Sequence, residues 1–190
     1  MSQLYLVRHG PTHVKTLIGW TDVPADLSDG AALARLDAAL PADAVVVSSD
    51  LTRAISTADA IQGKRVRLPH DTRLREIHMG DWEARTWQDV DAEYGDWLRR
   101  YYEEPGDIAP PAGESWNTLS ARVWQVLEGL LSQHQCVVAV AHMGPILSMV
   151  QRAKGITAYE ALGHPIAHLS LTQIEFGQAG LNVSVISHLP

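Results

Sequence analysis

The sequence contains a single cysteine, Cys136, among its 190 residues, so no disulfide can form within the chain. Cys136 lies in an apolar run, where a buried strand residue is much commoner than a reactive thiol. The sequence also lacks an apolar stretch of about 20 residues, the length needed to cross a bilayer, and no secretory signal pattern opens it. These absences predict a soluble, cytoplasmic protein.

Basic residues are few and scattered along the chain. Lysine and arginine number 15 against 22 acidic residues, which gives a formal net charge of −7 at pH 7. Nucleic acids and anionic membrane surfaces attract clustered basic residues, so neither is an expected partner. A local basic pocket for a small anion is still compatible with this balance. The length and the 46% hydrophobic content fit one domain with one sizeable core.

Short apolar runs alternate with segments of helical spacing. Strands are predicted at 4–7, 44–47, 66–68, 136–140, 169–176 and 181–186. Helices are predicted at 28–40, 51–61, 114–132 and 143–153, with two short helices between 86 and 102. This alternation favours a three-layer α/β/α sandwich with a mostly parallel central sheet. We expect a single domain over 1–190, with the segment 82–113 forming a cap or lid over the sheet edge.

Basic and imidazole side chains follow three of the predicted strands. The first strand ends at Arg8 and His9, the second leads to Arg53, and the fourth ends before His142. Ligands bind beyond the carboxyl ends of such strands, where these side chains should meet. Arginine matches phosphate oxygens with a planar fork of donors, and histidine can serve as a nucleophile. The pattern predicts a site for a small, multiply charged anion centred on His9.

Cleavage of a phosphate ester also requires a general acid, because an alkoxide leaves poorly unless it is protonated. Glu76 is the preferred candidate, since it follows the third strand and a bound dianion beside it would raise its pKa. Glu83 is a rival for this role, and Asp81 is a weaker one. The choice between them rests on motif more than on physics.

Five motifs occur in a fixed order and cover nearly the whole chain. They are LVRHG at 6–10, GWTD at 19–22 with LSDG at 27–30, SDLTRA at 49–54, LRE at 74–76 with GDWE at 80–83, and AHMG at 141–144. In these motifs the chain resembles the histidine phosphatase superfamily, in its phosphoglycerate mutase-like branch. It looks most like the small phosphatase members of that branch, such as alpha-ribazole phosphatase-like proteins.

The resemblance implies a role for each matching residue. His9 would attack phosphorus and become a phosphohistidine. Arg8, Arg53 and His142 would hold the phosphoryl oxygens and stabilise the charge in transfer. Glu76 would protonate the leaving oxygen and then help to activate water. The resemblance implies no metal and no other cofactor, because the arginines and the second histidine take the place of a cation.

Further contacts to substrate are predicted around this set. Lys15 stands where many members have an asparagine that touches the phosphate, and Pro11 stands where many have glutamate. Lys15, Gly19, Trp20 and Met143 are therefore predicted to contact the phosphate or the rest of the substrate. The segments 15–26 and 82–113 should set specificity, but they carry no motif that names a substrate.

The sequence favours a phosphomonoesterase that acts on a small phosphorylated metabolite, as a monomer or a homodimer. One alternative is a phosphoglycerate mutase, whose phosphoenzyme would resist water and return the phosphoryl group to product. Another is a non-catalytic regulatory module that only binds phosphate. The intact set of candidate catalytic residues argues against the last of these.

Overall fold

The computed structural model describes residues 1–178 and 180–190. Within these residues the strands are β1 Ser2–Arg8, β2 Val45–Ser48, β3 Val66–Arg67, β4 Cys136–Ala141, β5 Leu171–Gly177 and β6 Gly180–His188. The helices are α1 Gly30–Ala39, α2 Thr52–Ile61, α3 Trp87–Glu103, α4 Trp116–Gln133, α5 Met143–Lys154 and α6 Ala158–Leu162. Two short 3₁₀ turns, Thr72–Leu74 and Gly80–Trp82, lie before α3.

The strands form one mixed sheet in the order β3-β2-β4-β1-β5-β6. The first four of these run parallel to one another, and β5 and β6 are added as antiparallel strands at one side. Arg8 pairs with Ala141, and Ser48 pairs with Val140. This register brings the carboxyl ends of β1, β2 and β4 to one edge of the sheet.

Each face of the sheet is covered by its own helices. Alternate residues of β1 point to opposite faces, with Leu4 and Leu6 in one core and Tyr5 and Val7 in the other. The first core contains the apolar faces of α4 and α5, and the second contains those of α1 and α2. The predicted three-layer α/β/α sandwich with a mostly parallel sheet is therefore confirmed. No helix in the described part of the chain has the length and apolar character required to cross a membrane.

Several predicted boundaries shift in the structure. The two short helices expected between 86 and 102 are present as the two parts of α3, which meet at non-helical backbone at Gly95. The first helix is capped by Asp29 rather than Ser28, because the Asp29 carboxylate accepts a hydrogen bond from the Ala32 amide at 2.9 Å. The short helix α6 was not predicted. It begins at a capping box formed by Thr157 and Glu160.

A buried arginine joins the carboxyl ends of α1 and α2. Arg65 is 8% exposed, and its guanidinium donates to the carbonyl of Leu40 at 2.7 Å and to that of Ile61 at 3.1 Å. It also donates to the carbonyl of Pro41 at 2.6 Å and forms an ion pair with Asp37. The last carbonyls of a helix need such donors, because they have no partner within the helix.

We predict that Arg65→Met lowers the free energy of unfolding by more than about 2 kcal/mol, because it leaves several buried carbonyls without donors. Urea unfolding measures the change. Arg99→Met is the control, since Arg99 pairs only with exposed Asp96 and Glu103 and should cost less than about 1 kcal/mol. Equal losses in the two variants would contradict this interpretation.

Candidate active site

The predicted catalytic side chains converge at the carboxyl edge of the sheet. Arg8, His9, Arg53 and Glu76 line one cavity of about 280 Å³. His142 is fully buried beside them, with its ring centroid 4.9 Å from that of His9. Two strand ends, the first turn of α2 and the loop after the 3₁₀ turn Thr72–Leu74 therefore bring together groups from four separate parts of the sequence. Among the described residues, no group of three or more His, Cys, Asp or Glu side chains is arranged to hold a metal ion.

His9 has one ring nitrogen engaged and one free for chemistry. Its Nδ1 lies 2.7 Å from the carbonyl oxygen of Gly10, which can only accept, so this nitrogen carries the proton. Burial lowers the pKa of His9 to about 3, and the neighbouring Arg53 and Arg8 act in the same direction. The imidazole is therefore neutral near pH 7, with a lone pair on Nε2. A neutral imidazole nitrogen is a competent nucleophile.

A buried arginine, Arg53, and a half-buried one, Arg8, flank this histidine. Arg53 is 1% exposed and donates from Nη2 to the carbonyl of Gly19 at 2.6 Å and from Nη1 to that of Thr21 at 2.9 Å. Arg8 donates from Nη1 to the carbonyl of Ile166. Within the described residues, the buried Nε of Arg8 has no hydrogen-bond acceptor. Two desolvated cations and a spare donor make this end of the cavity suited to a dianion.

His142 is held in one tautomer by its two neighbours. The Nε of Arg53 can only donate, and it lies 3.3 Å from Nδ1 of His142. The opposite nitrogen, Nε2, is then free to donate to the hydroxyl of Ser49 at 2.7 Å. Burial holds the pKa of His142 well below its ordinary value, so this ring is also neutral. Ser49 was not predicted as a site residue, although it lies within one of the motifs.

Glu76 has the environment of a general acid. Its Oε1 accepts hydrogen bonds from the amides of Ile77 at 2.9 Å and Gly144 at 3.0 Å. Burial raises the pKa of Glu76, while these amides, Arg8 and Arg53 oppose the shift. A buried carboxyl with a raised pKa can hold a proton for a leaving group. Its position on the cavity wall supports the role that the sequence assigned to it.

Glu83, the rival candidate for the general acid, binds backbone amides of a loop instead. It accepts hydrogen bonds from the amides of Gly19 at 3.1 Å, Trp20 at 2.6 Å and Thr21 at 3.1 Å. Burial alone would raise the pKa of Glu83, but these amides and the Thr21 hydroxyl lower it overall. The carboxylate therefore stays ionised and fixes the loop whose carbonyls hold Arg53. Its oxygens are engaged outside the cavity lining, so the geometry favours Glu76 as the acid.

The four further predicted contacts are placed differently from one another. Met143 lines the cavity and is 39% exposed. Lys15 is exposed, and it lies outside the lining formed by the described residues. Gly19 acts through its carbonyl on Arg53, and Trp20 donates from its indole to the carbonyl of Glu76 at 2.8 Å. Direct contact between substrate and Lys15, Gly19 or Trp20 stays a prediction.

His168 is a cavity residue that the sequence left unassigned. Its Nδ1 lies 3.0 Å from the carbonyl oxygen of His9, and the two rings are 5.3 Å apart between centroids. The next residue, Leu169, has a φ of 57°, which is rare for a bulky side chain, and its amide donates to the carbonyl of Arg8 at 3.0 Å. The backbone is thus turned so that a third imidazole faces the cavity. The only signal in the sequence was its place before a closing strand.

Comparison with known proteins agrees with this geometry. Residues 4–188 match the family model described as the histidine phosphatase superfamily, branch 1. A cavity lined by a neutral histidine, two arginines and a buried carboxyl fits a phosphoryl-transfer enzyme. The chain belongs to the histidine phosphatase superfamily.

Individual relatives are moderately similar over most of their length. The probable phosphoglycerate mutase GpmB of Serratia proteamaculans is 29% identical, over 94% of this chain and 87% of that protein. The glucosyl-3-phosphoglycerate phosphatase of Mycolicibacterium vanbaalenii is 33% identical, over 81% of this chain and 75% of that protein. The structure of Bacillus stearothermophilus YhfR is 26% identical, with a TM-score of 0.91 that covers 100% of this chain and 98% of that one.

We predict that Gly144→Ala lowers kcat by about a hundredfold, because a displaced catalytic group can cost that much. A Cβ at this position would lie 2.4 Å from Oε1 of Glu76 and would force the carboxyl to move. Phosphatase assays with an alkyl ester such as glycerol 1-phosphate, whose leaving oxygen needs the proton, measure the effect. Gly129→Ala is the matched control, because a Cβ there meets nothing within 4 Å. An unchanged kcat in Gly144→Ala would show that the carboxyl position is unimportant.

Proposed function

We propose that the protein is a phosphomonoesterase that hydrolyses a small phosphorylated metabolite through a phosphohistidine on His9. One observation carries the proposal: a neutral imidazole, whose Nδ1 is engaged by the Gly10 carbonyl, lines the same cavity as the guanidinium groups of Arg8 and Arg53 and the carboxyl of Glu76. Phosphoryl transfer needs a nucleophile, stabilisation of the equatorial oxygens and a proton for the leaving group. These side chains supply all three.

In the first step, Nε2 of His9 attacks phosphorus while the bond from phosphorus to the ester oxygen breaks. Glu76 gives its proton to that oxygen, so the alcohol leaves neutral and Glu76 becomes a carboxylate. Arg8 and Arg53 stabilise the charge on the phosphoryl oxygens. The products of this step are the free alcohol and phosphohistidine.

In the second step, a water molecule attacks the phosphorus of phosphohistidine. The Glu76 carboxylate takes a proton from this water, and the bond between phosphorus and Nε2 breaks. Inorganic phosphate leaves, and His9 and Glu76 return to their starting forms. The cycle consumes one ester and one water, and it requires no redox partner.

A mutase is the second candidate, favoured by the relatives that are named probable phosphoglycerate mutase. A mutase would return the phosphoryl group from His9 to a second hydroxyl before water attacks. Incubation with 3-phosphoglycerate separates the two functions. A phosphatase releases inorganic phosphate, and a mutase forms 2-phosphoglycerate.

The proposal includes a cytoplasmic protein that works as a monomer or a homodimer. Nucleic acids and membranes are not proposed as partners. The support is the net charge of −7 and the lack of basic clusters in the sequence. Fractionation of cells and light scattering of the purified protein are the corresponding measurements.

We predict that His9→Ala abolishes phosphatase turnover, because the covalent route depends on its Nε2. Release of phosphate from p-nitrophenyl phosphate and from a panel of phosphorylated metabolites is the measurement. The wild type should also retain acid-labile phosphate after rapid quenching, and the variant should not. Turnover that persists in His9→Ala would falsify the phosphohistidine mechanism.

The dependence of kcat/KM on pH tests whether Glu76 is the general acid. His9 has its pKa lowered to about 3, so it stays neutral from about pH 4 upward. Glu76 has its pKa raised by burial, and the first step needs its protonated form. We predict that kcat/KM falls as the pH rises through the pKa of Glu76, after correction for ionisation of the substrate phosphate. Glu76→Gln should be slow and should lose this alkaline limb. A limb that survives in Glu76→Gln would assign the proton to another group.

A further inference from the structure

The cavity changes character with distance from the phosphate end. Away from Arg8, His9, Arg53 and Glu76 its walls are mostly apolar or aromatic. Residues of these walls include Leu17, Ile18, Tyr101, Tyr102, Trp116 and Leu162. They come from the loop after β1, from α3, from the start of α4 and from α6. If phosphorus is bound at His9, the organic part of the ester occupies this apolar part.

The charges of the cavity are concentrated at the phosphate end. Arg8 and Arg53 are the lysine or arginine side chains in the lining that the described residues form. Both are needed by the phosphoryl group, and the other ionisable groups in this lining are Glu76, the imidazoles of His9 and His168, and the phenols of Tyr101 and Tyr102. A second anionic group on the substrate would be desolvated here without a cation of its own. Such burial is costly unless the charge is paired.

The aromatic side chains of the cavity wall offer apolar ring surfaces, because their polar atoms are either hydrogen-bonded to another residue or uncharged. Trp116 donates from its indole nitrogen to the side chain of Gln151 at 2.7 Å. Tyr101 and Tyr102 pack edge to face, with centroids 4.8 Å apart, and Tyr101 packs in the same way on buried Trp82. Burial raises the pKa of Tyr102 to about 12, so its hydroxyl is uncharged. These contacts hold the rings rigidly against the substrate space.

We propose that the leaving group is an uncharged, largely apolar alcohol that carries a ring, bound against Tyr102 and Trp116. This inference rests on the proposed phosphatase function and names its substrate class. Phosphoglycerates fit poorly, because their carboxylate has no partner in the cavity beyond the two arginines. Lys15 is the nearest alternative in sequence, since it lies between the lining residues Val14 and Thr16, but its side chain is exposed.

Three phosphate esters test the inference. Each of them releases a primary alcohol, so the class of leaving group is the same in all three. They are 2-phenylethyl phosphate, glycerol 1-phosphate and 3-phosphoglycerate, and phosphate release gives kcat/KM for each. We expect 2-phenylethyl phosphate to exceed both others by about tenfold or more, the range that apolar pocket contacts supply. Equal values, or preference for 3-phosphoglycerate, would overturn the inference while leaving the phosphatase intact. Failure to hydrolyse any ester, p-nitrophenyl phosphate included, would overturn the proposed function and this inference with it.

Substitutions in helix α3 test whether Tyr102 causes the preference for 2-phenylethyl phosphate. Tyr102→Ala should lower kcat/KM for 2-phenylethyl phosphate about tenfold and change that for glycerol 1-phosphate less than about twofold. Tyr102→Phe should keep the wild-type preference, because the ring rather than the hydroxyl is required. Trp97→Ala is the control, since Trp97 is also on α3 but is 48% exposed and lies outside the lining. Thermal unfolding of each variant checks the fold.

The same assay includes Lys15→Ala. A contact between Lys15 and the phosphate would affect all the esters alike, so the readout is the ratio of kcat/KM for 3-phosphoglycerate to that for glycerol 1-phosphate, which the inference expects to change less than about threefold. A selective tenfold loss would mean that Lys15 pairs with the carboxylate. An equal loss of kcat/KM for 2-phenylethyl phosphate and glycerol 1-phosphate in Tyr102→Ala would also count against the proposal. The ring would then act on the phosphoryl end that the two esters share.

Discussion

The candidate active site depends on keeping a histidine neutral beside two cations, one buried and one half-buried. Arg8 and Arg53 are largely removed from water, which is costly for any charge. Carbonyl oxygens of Gly19, Thr21 and Ile166 replace part of the lost hydration, and Glu76 supplies nearby negative charge. The same burial and the same cations lower the pKa of His9. One arrangement thus suits a dianion and keeps the proposed nucleophile unprotonated.

A chain of hydrogen bonds fixes this arrangement. Glu83 binds the amides of residues 19–21, the carbonyls of Gly19 and Thr21 receive Arg53, and Arg53 donates to His142. His142 in turn is bonded to Ser49 at the end of β2. Each member therefore has its orientation set by a neighbour from another element. Hydrogen-bond donors that are already in place do not have to reorganise during the reaction. Electrostatic stabilisation of the transition state is strong because this cost is avoided.

Residues at strand ends could be predicted from the sequence, because a parallel sheet fixes where its carboxyl ends meet. Arg8 and His142 were found in this way, and the motif around Arg53 added the third group. Ser49 was not selected, and the place of His168 before a closing strand was too weak a signal to assign it, since their roles depend on contacts with residues 93 and 159 positions away. The role of Glu83 was missed for the same reason. The five-residue helix α6 is too short to leave a periodic pattern.

The apolar part of the cavity bears both on which leaving group fits and on the pKa of Glu76. Glu76 has its pKa raised by burial, and Tyr101 and Tyr102 are close enough for its charge to raise their pKa values as well. A polar or charged wall that suited phosphoglycerate would bring solvation or a cation nearer to this carboxyl. Its pKa would then fall, and less of the protonated acid would be present near neutral pH. An apolar leaving group avoids this conflict, because it fills the space and excludes water. In the proposed mechanism, the walls that select the alcohol would therefore also favour the protonated form of Glu76 that releases it.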